Sequence, residues 1–172
     1  MEIKTIASFL SYYDKIREGT KQIIQVIPED KMDWTYKSGK FTIADVIRHI
    51  AAIERNVFAE LVIVNPACYE GCGKELADGY ENVITYFNEM HSQSMQIFRT
   101  LNDVDLNRKI VTLSGSETKI GNFLRALIIH EIHHCGALCI YLNLLDVKTP
   151  SIFGLTEEQV IEKSKSFENS EK

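Results

Sequence analysis

Along most of this chain, apolar residues recur at the three- and four-residue spacing of amphipathic helices. Ile6, Leu10, Tyr13, Ile16, Ile23, Ile24 and Ile27 predict a first long helix, which Pro28-Glu29-Asp30 ends. After a polar segment around Trp34 and Gly39, Thr42 and Asp45 make an S/T-x-x-D/E start signal. Ile43, Val46, Ile50, Ile53, Val57 and Leu61 then line one face of a second helix, up to Asn65-Pro66. Cys68 to Gly79 is polar and glycine-containing and predicts a loop, with Asp78 placed to cap the next helix. Val83, Phe87, Met90, Ser94, Ile97 and Leu101 mark that third helix. Ile110-Val111-Thr112-Leu113, followed by Ser114-Gly115-Ser116, predicts a hairpin or an extended connection. A fourth helix follows from Ile120 to Leu145, ended by Thr149-Pro150-Ser151, and Thr156-Glu157-Glu158 opens a short charged helix that fades into a polar tail. The fold class is therefore all-α: a four-helix bundle over residues 1–155, with a hairpin-like connection before helix four, and a short helix and tail over 156–172.

Composition narrows the function. The 172 residues, 45% hydrophobic and 25% charged, suit one globular domain. The net charge of −5 argues against a nucleic-acid partner, because affinity for a polyphosphate comes mostly from basic side chains that displace counterions. The longest apolar run, Ala137 to Leu142, falls far below the roughly 20 residues of a membrane span. Charges at Glu2 and Lys4 leave no apolar signal segment, so a cytoplasmic protein with no membrane partner is expected. In that setting Cys68/Cys72 and Cys135/Cys139 read as reduced thiols, the latter two as small core residues; a four-cysteine zinc site is the alternative.

The chemistry concentrates in His130-Glu131-Ile132-His133-His134. At about 100° per residue from Leu124, the apolar stripe of helix four centres near ~340°, with His134 near ~280° and His130 near ~240° on its shoulder and His133 near ~180° on the solvent side. His49 lies on the matching shoulder of helix two, so a bundle can bring it beside the pair. Three imidazoles leave coordination positions open, as catalytic zinc sites do; the alternative for each histidine is a packed or solvated side chain. His133 and His91 are not expected to be ligands. The string also satisfies H-E-x-x-H, but nothing after His134 continues as x-x-G-x-x-H, which disfavours a metalloprotease.

Several segments together resemble the DinB-like (damage-inducible protein) family of metal-binding four-helix bundles, a superfamily shared with bacillithiol transferases and mycothiol-dependent isomerases. They are Met32-Asp33-Trp34, the run Gly39 to Ile50 ending in Arg48-His49-Ile50, Glu54, His130 to Gly136, and Thr149-Pro150-Ser151-Ile152-Phe153-Gly154. The resemblance implies a divalent metal, zinc or nickel, on His49, His130 and His134. Cys135 and Ala137 stand where the family commonly has arginine and glutamine. It also implies a homodimer, for which Ile152, Phe153 and Leu155 are candidate contacts.

Glu131 falls within the apolar stripe, where an unpaired carboxylate would be costly. It is expected either to orient a ligand histidine or act as general base on metal-bound water, or to pair with a Lys or Arg. Asp45 carries the same alternatives, with capping favoured, and Tyr12, Tyr13, Tyr86 and Tyr141 are expected to pack in the core. Two function classes follow: a metal-dependent enzyme, either a low-molecular-weight thiol S-transferase or a small-substrate hydrolase, and a non-enzymatic metal- or ligand-binding stress-response protein.

Overall fold

A computed structural model describes residues 2–152 and 154–170. Helix α1 (Ile6–Gln25) starts where the Thr5 hydroxyl accepts the Ser8 N–H, and Asp103 Oδ1 ties its first turn to a distant loop by accepting the Ile6 N–H at 2.8 Å. A short 3-10 turn, Glu29–Lys31, leads towards α2. There Thr42 and Asp45 form the reciprocal capping box that their spacing predicts, at 3.0 and 2.9 Å.

Helix α2 is α-helical over Ile43–Ile53, widens into a π-helical stretch over Glu54–Ala59 and closes with an α-helical turn, Glu60–Val62. The widening changes which residues face inward. Ile53 and Leu61, expected on the core stripe, are only half-buried, whereas Glu54, Phe58, Ala59 and Val62 are buried. An inserted π turn advances the helix by one residue and rotates everything beyond it, which a 3.6-residue period cannot anticipate.

Helix α3 (Tyr80–Phe98) begins at Gly79, whose φ of 81° suits glycine. Asp78 does not cap it: its carboxylate accepts the Gly79 N–H, one residue too early to serve the helix's free amides. A 3-10 turn, Asp103–Asn107, precedes the antiparallel strands β1 (Lys109–Val111) and β2 (Glu117–Lys119), paired with Ile110 opposite Thr118. Helix α4 (Ile120–Leu144) follows at once and ends within a residue of the expected Leu145, closed locally before Pro150: Asp146 takes a left-handed φ of 56°, and the Val147 N–H returns to the Leu142 carbonyl at 2.9 Å. The last helix, α5 (Glu157–Ser170), is longer than the predicted short helix and takes up most of the expected tail.

In the bundle α1 lies against α4, and α2 packs on both α3 and α4, so the sequential pairs α1/α2 and α3/α4 are not the principal contacts. Helix α4 has the length and hydropathy of a membrane span by composition alone. Its Leu124, Leu127, Cys135, Leu138 and Leu142 form a wall of the bundle core, while Ile129, Ile140 and Leu144 of the same helix are exposed. Of the residues expected to cover a partner, Leu155 is exposed and Phe153 lies outside the described residues. Ile152 instead turns inward, 3.4 Å from where a Cβ on Gly19 would stand. Tyr13 and Tyr141 are buried and Tyr86 half-buried, but Tyr12 is exposed and not a core residue.

Candidate metal centre

The capping box that starts α2 sets the phase that carries His49 onto the face towards α4, where His130 and His134 lie one turn apart. The three rings meet: centroids are 5.1 Å apart for His49 and His130, 4.7 Å for His49 and His134, and 4.5 Å for His130 and His134. Their candidate ligand nitrogens all lie within 4.8 Å of one another. His49 Nε2 and His130 Nε2 face each other at 3.1 Å. Metal–nitrogen bonds of about 2.0–2.1 Å place neighbouring ligand nitrogens about 3.0–3.4 Å apart, so this pair fits a divalent cation.

Electrostatics favour the same use. Burial, followed by the neighbouring His134, His49 and His133, pushes His130 down to about 3; burial, then His49 and His133, pushes His134 down to about 4; burial also lowers His49. Neutral imidazoles offer lone pairs to a cation. Because the folded protein disfavours these three protons, the unfolded chain binds more of them once the pH falls below about 6.5. Stability of the metal-free protein is therefore expected to be flat above that value and to decline from it towards about pH 4, and urea unfolding at pH 7, 6 and 5 measures this. His49→Gln, His130→Gln and His134→Gln combined should flatten that part of the profile.

The walls near the triad are aromatic. Phe41 lies 5.7 Å from the His49 ring, Phe58 6.3 Å from His130, and the Tyr69 hydroxyl 2.7 Å from His49 Nδ1. His133 touches the edge of His134 at 4.9 Å between centroids but is exposed. His91 belongs to another cluster, on α3, with Nδ1 2.9 Å from Glu54 and its ring against Tyr13. The four cysteines are free thiols, and the histidine triad is the metal-capable group found among the described residues.

Glu131, next to His130 in the chain, is completely buried. Its Oε1 accepts from the Thr20 hydroxyl at 2.8 Å and its Oε2 stands 3.0 Å from Arg17 Nη2. Arg17 also pairs with Glu54, donates to the Tyr13 hydroxyl at 3.1 Å and lies 4.2 Å over the Phe87 ring. Thus the contacts of Glu131 are those of the ion-pair alternative, made inside the core by an arginine on α1. Asp45 both caps α2 and pairs with Arg48 at 2.5 Å. Sequence reasoning missed Arg17 and Tyr69. Arg17 has Asp14 three residues before it, a local partner by spacing, whereas its actual partners Glu54 and Glu131 lie on other helices; Tyr69 lies in a loop with no periodicity to read.

The second and fourth helices of this bundle bring three neutral histidines together as a triad positioned for a metal ion. The DinB superfamily profile matches residues 12–138, and the chain belongs to that superfamily. Among curated proteins no sequence matches. A DinB-like protein from Bacillus cereus shares the fold at a TM-score of 0.74 and 17% identity, over 87% of this chain and 99% of that one. YfiT from Bacillus subtilis, described as a probable metal-dependent hydrolase with an unusual four-helix bundle topology, aligns at 0.65 and 18% identity over 83% of this chain and 89% of its own. A mycothiol-dependent maleylpyruvate isomerase aligns at 0.65 and 12% identity, over 77% of this chain and 60% of that one.

Proposed function

We propose that this chain is a metal-dependent enzyme in which His49, His130 and His134 hold one divalent cation, zinc or nickel. Its reaction is the attack of water or a low-molecular-weight thiol on a small electrophile. The observation that carries this reading is the convergence of three neutral imidazoles without a fourth ligand in the cluster, since catalytic sites keep a position open where structural sites are closed by four protein ligands. Imidazole donors suit zinc and nickel. When bound, the cation acts as a Lewis acid that favours the deprotonated form of the nucleophile.

The protein's own residues supply the rest. His49 from α2 and His130 and His134 from α4 fix the position of the nucleophile between two helices, and Phe41, Phe58 and Tyr69 give the site an aromatic surround suited to an apolar electrophile. Glu131 ties α4 to α1 beside His130 through Arg17 and Thr20. The sheet among the described residues is the small β1–β2 hairpin, a poor edge for an extended peptide, which favours small substrates over proteins.

Two assays on the zinc- and nickel-loaded protein test the reading. In the first, a low-molecular-weight thiol attacks a chlorinated nitroaromatic: a carbon–sulfur bond forms, chloride leaves with the bonding pair and the thiol proton goes to solvent. In the second, water cleaves an aryl ester to acid and phenol. Metal-dependent turnover in either assay, lost in His134→Ala, is the expected result. A protein that binds metal stoichiometrically and turns over neither substrate would instead be a metal- or ligand-binding stress protein, and metal-dependent casein cleavage would replace the small-substrate reading with a protease.

A further inference from the structure

The 2.7 Å contact between Tyr69 and His49 Nδ1 joins the triad to the loop of residues 68–79, and α2 holds that loop by several hydrogen bonds. Arg48, adjacent to His49 on α2 and only 1% exposed, donates from Nε to the Cys72 carbonyl at 2.7 Å and from Nη1 to the Ala77 carbonyl at 2.8 Å. Its Nη2 meets Asp45, which the capping box already holds. On the other side of Tyr69, the Cys68 N–H returns to the Asn56 carbonyl of α2 at 3.2 Å. The helix that carries the ligand therefore grips the loop on both sides of Tyr69.

The direction of the hydrogen bonds follows from what each group can do. Tyr69 is half-buried, and the nitrogen of His49 that faces His130 is Nε2, so a neutral imidazole ligating through it carries its one proton on Nδ1, 2.7 Å from the Tyr69 hydroxyl. A phenol has one proton to give. Directed away from His49, it leaves the phenolic oxygen as acceptor for the proton on His49 Nδ1; donated to His49, it would place the imidazole proton on Nε2, towards His130, where a cation needs the lone pair. The first arrangement is the one that a ligating Nε2 requires.

Resting on the metal-centre reading above, we propose that Tyr69 is a positioning residue: its hydroxyl oxygen accepts the Nδ1–H of His49 and holds the tautomer whose Nε2 lone pair faces His130 and His134. A partner on the far nitrogen of a ligand histidine fixes both tautomer and ring orientation, and losing such a partner typically costs 10–100-fold in metal affinity. In this chain the partner is supplied by a loop in place of a carboxylate.

The test compares the full-length protein with Tyr69→Phe, which keeps the ring and removes only the hydroxyl. Nitrogen-15 spectra of the imidazoles in metal-free protein at pH 7.5 read the tautomer directly, and zinc competition with a chromogenic chelator reads affinity. The expected result is an Nδ1–H His49 that becomes mixed or Nε2–H in Tyr69→Phe, together with a 10–100-fold loss of zinc affinity at unchanged melting temperature. An Nε2–H His49 in the parent protein, or a tautomer unmoved by Tyr69→Phe, overturns the assignment. Because the tautomer is read without metal, a parent protein that binds no zinc would sink the metal centre while leaving this hydrogen bond intact, so the two failures are distinguishable.

Discussion

His49→Ala, His130→Ala and His134→Ala will each lose bound zinc or nickel, with affinity falling by more than the 10–100-fold that removal of a merely supporting residue costs. Deleting one of three imidazoles removes a coordinate bond and leaves two nitrogens, a set no better than many chance histidine pairs on a protein surface. His49 should show the effect as fully as the other two although it comes from a different helix, because its Nε2 already faces His130 at 3.1 Å. His133→Ala is the internal control. His133 belongs to the same H-E-x-x-H-H string and touches His134, yet it is exposed, and its variant should keep the full metal content. Elemental analysis after dialysis, followed by chelator competition on the variants that retain metal, distinguishes these cases. Full occupancy in both His49→Ala and His134→Ala would remove the centre from this chain, and loss in His133→Ala with retention in His130→Ala would mean that the helical phase of α4 has been misassigned.

That phase was readable from the chain because α4 is regular. Twenty-five residues without proline let the arc between His130, His133 and His134 be counted, and the burial of Leu124, Leu127, Cys135 and Leu138 places the count correctly. Helix α2 was legible up to Ile50; at Ile53 the chain meets the π-helical stretch, and Glu54 and Phe58 face inward. The capping box could be read because both partners lie within one turn. Asp78 misled because a carboxylate one residue before Gly79 resembles a cap in sequence, while the backbone places it at the wrong amide. Loop residues are the least legible: Tyr69 acquires its role from Arg48 and Asn56, through contacts with main-chain atoms that no side-chain pattern encodes. Glu131 was visible as a buried carboxylate needing a partner, but the partner's identity required the tertiary arrangement of α1 against α4.

That arrangement makes Arg17 the residue whose loss should cost the fold most. It is 1% exposed and stands between two carboxylates, Glu54 and Glu131, each with no exposed surface. Arg17→Met keeps much of the side chain's volume over Phe87 but takes the arginine from both carboxylates, leaving Glu54 with His91 Nδ1 and Glu131 with the Thr20 hydroxyl. Removing one partner of a buried pair costs about 3–5 kcal/mol, and in a chain of this size each kcal/mol moves the melting temperature by roughly 2–4 °C, so a fall on the order of 10 °C is expected. Arg17→Lys should recover only part of it: the contacts to Glu54, Glu131 and the Tyr13 hydroxyl all come from Nη2 and an ammonium can supply them, but it cannot replace the flat guanidinium 4.2 Å over the Phe87 ring. The neutralised set Arg17→Met, Glu54→Gln, Glu131→Gln separates charge from packing. If the cost of Arg17→Met is that of two uncompensated carboxylates, removing their charges should return most of the lost stability, since replacing a whole buried ionic cluster is far less damaging than breaking it. Calorimetric melts of the three variants decide the matter: a loss below about 1 kcal/mol in Arg17→Met would place the pair among weakly coupled surface-type bridges, and a triple variant no more stable than the single one would assign the effect to packing against Phe87.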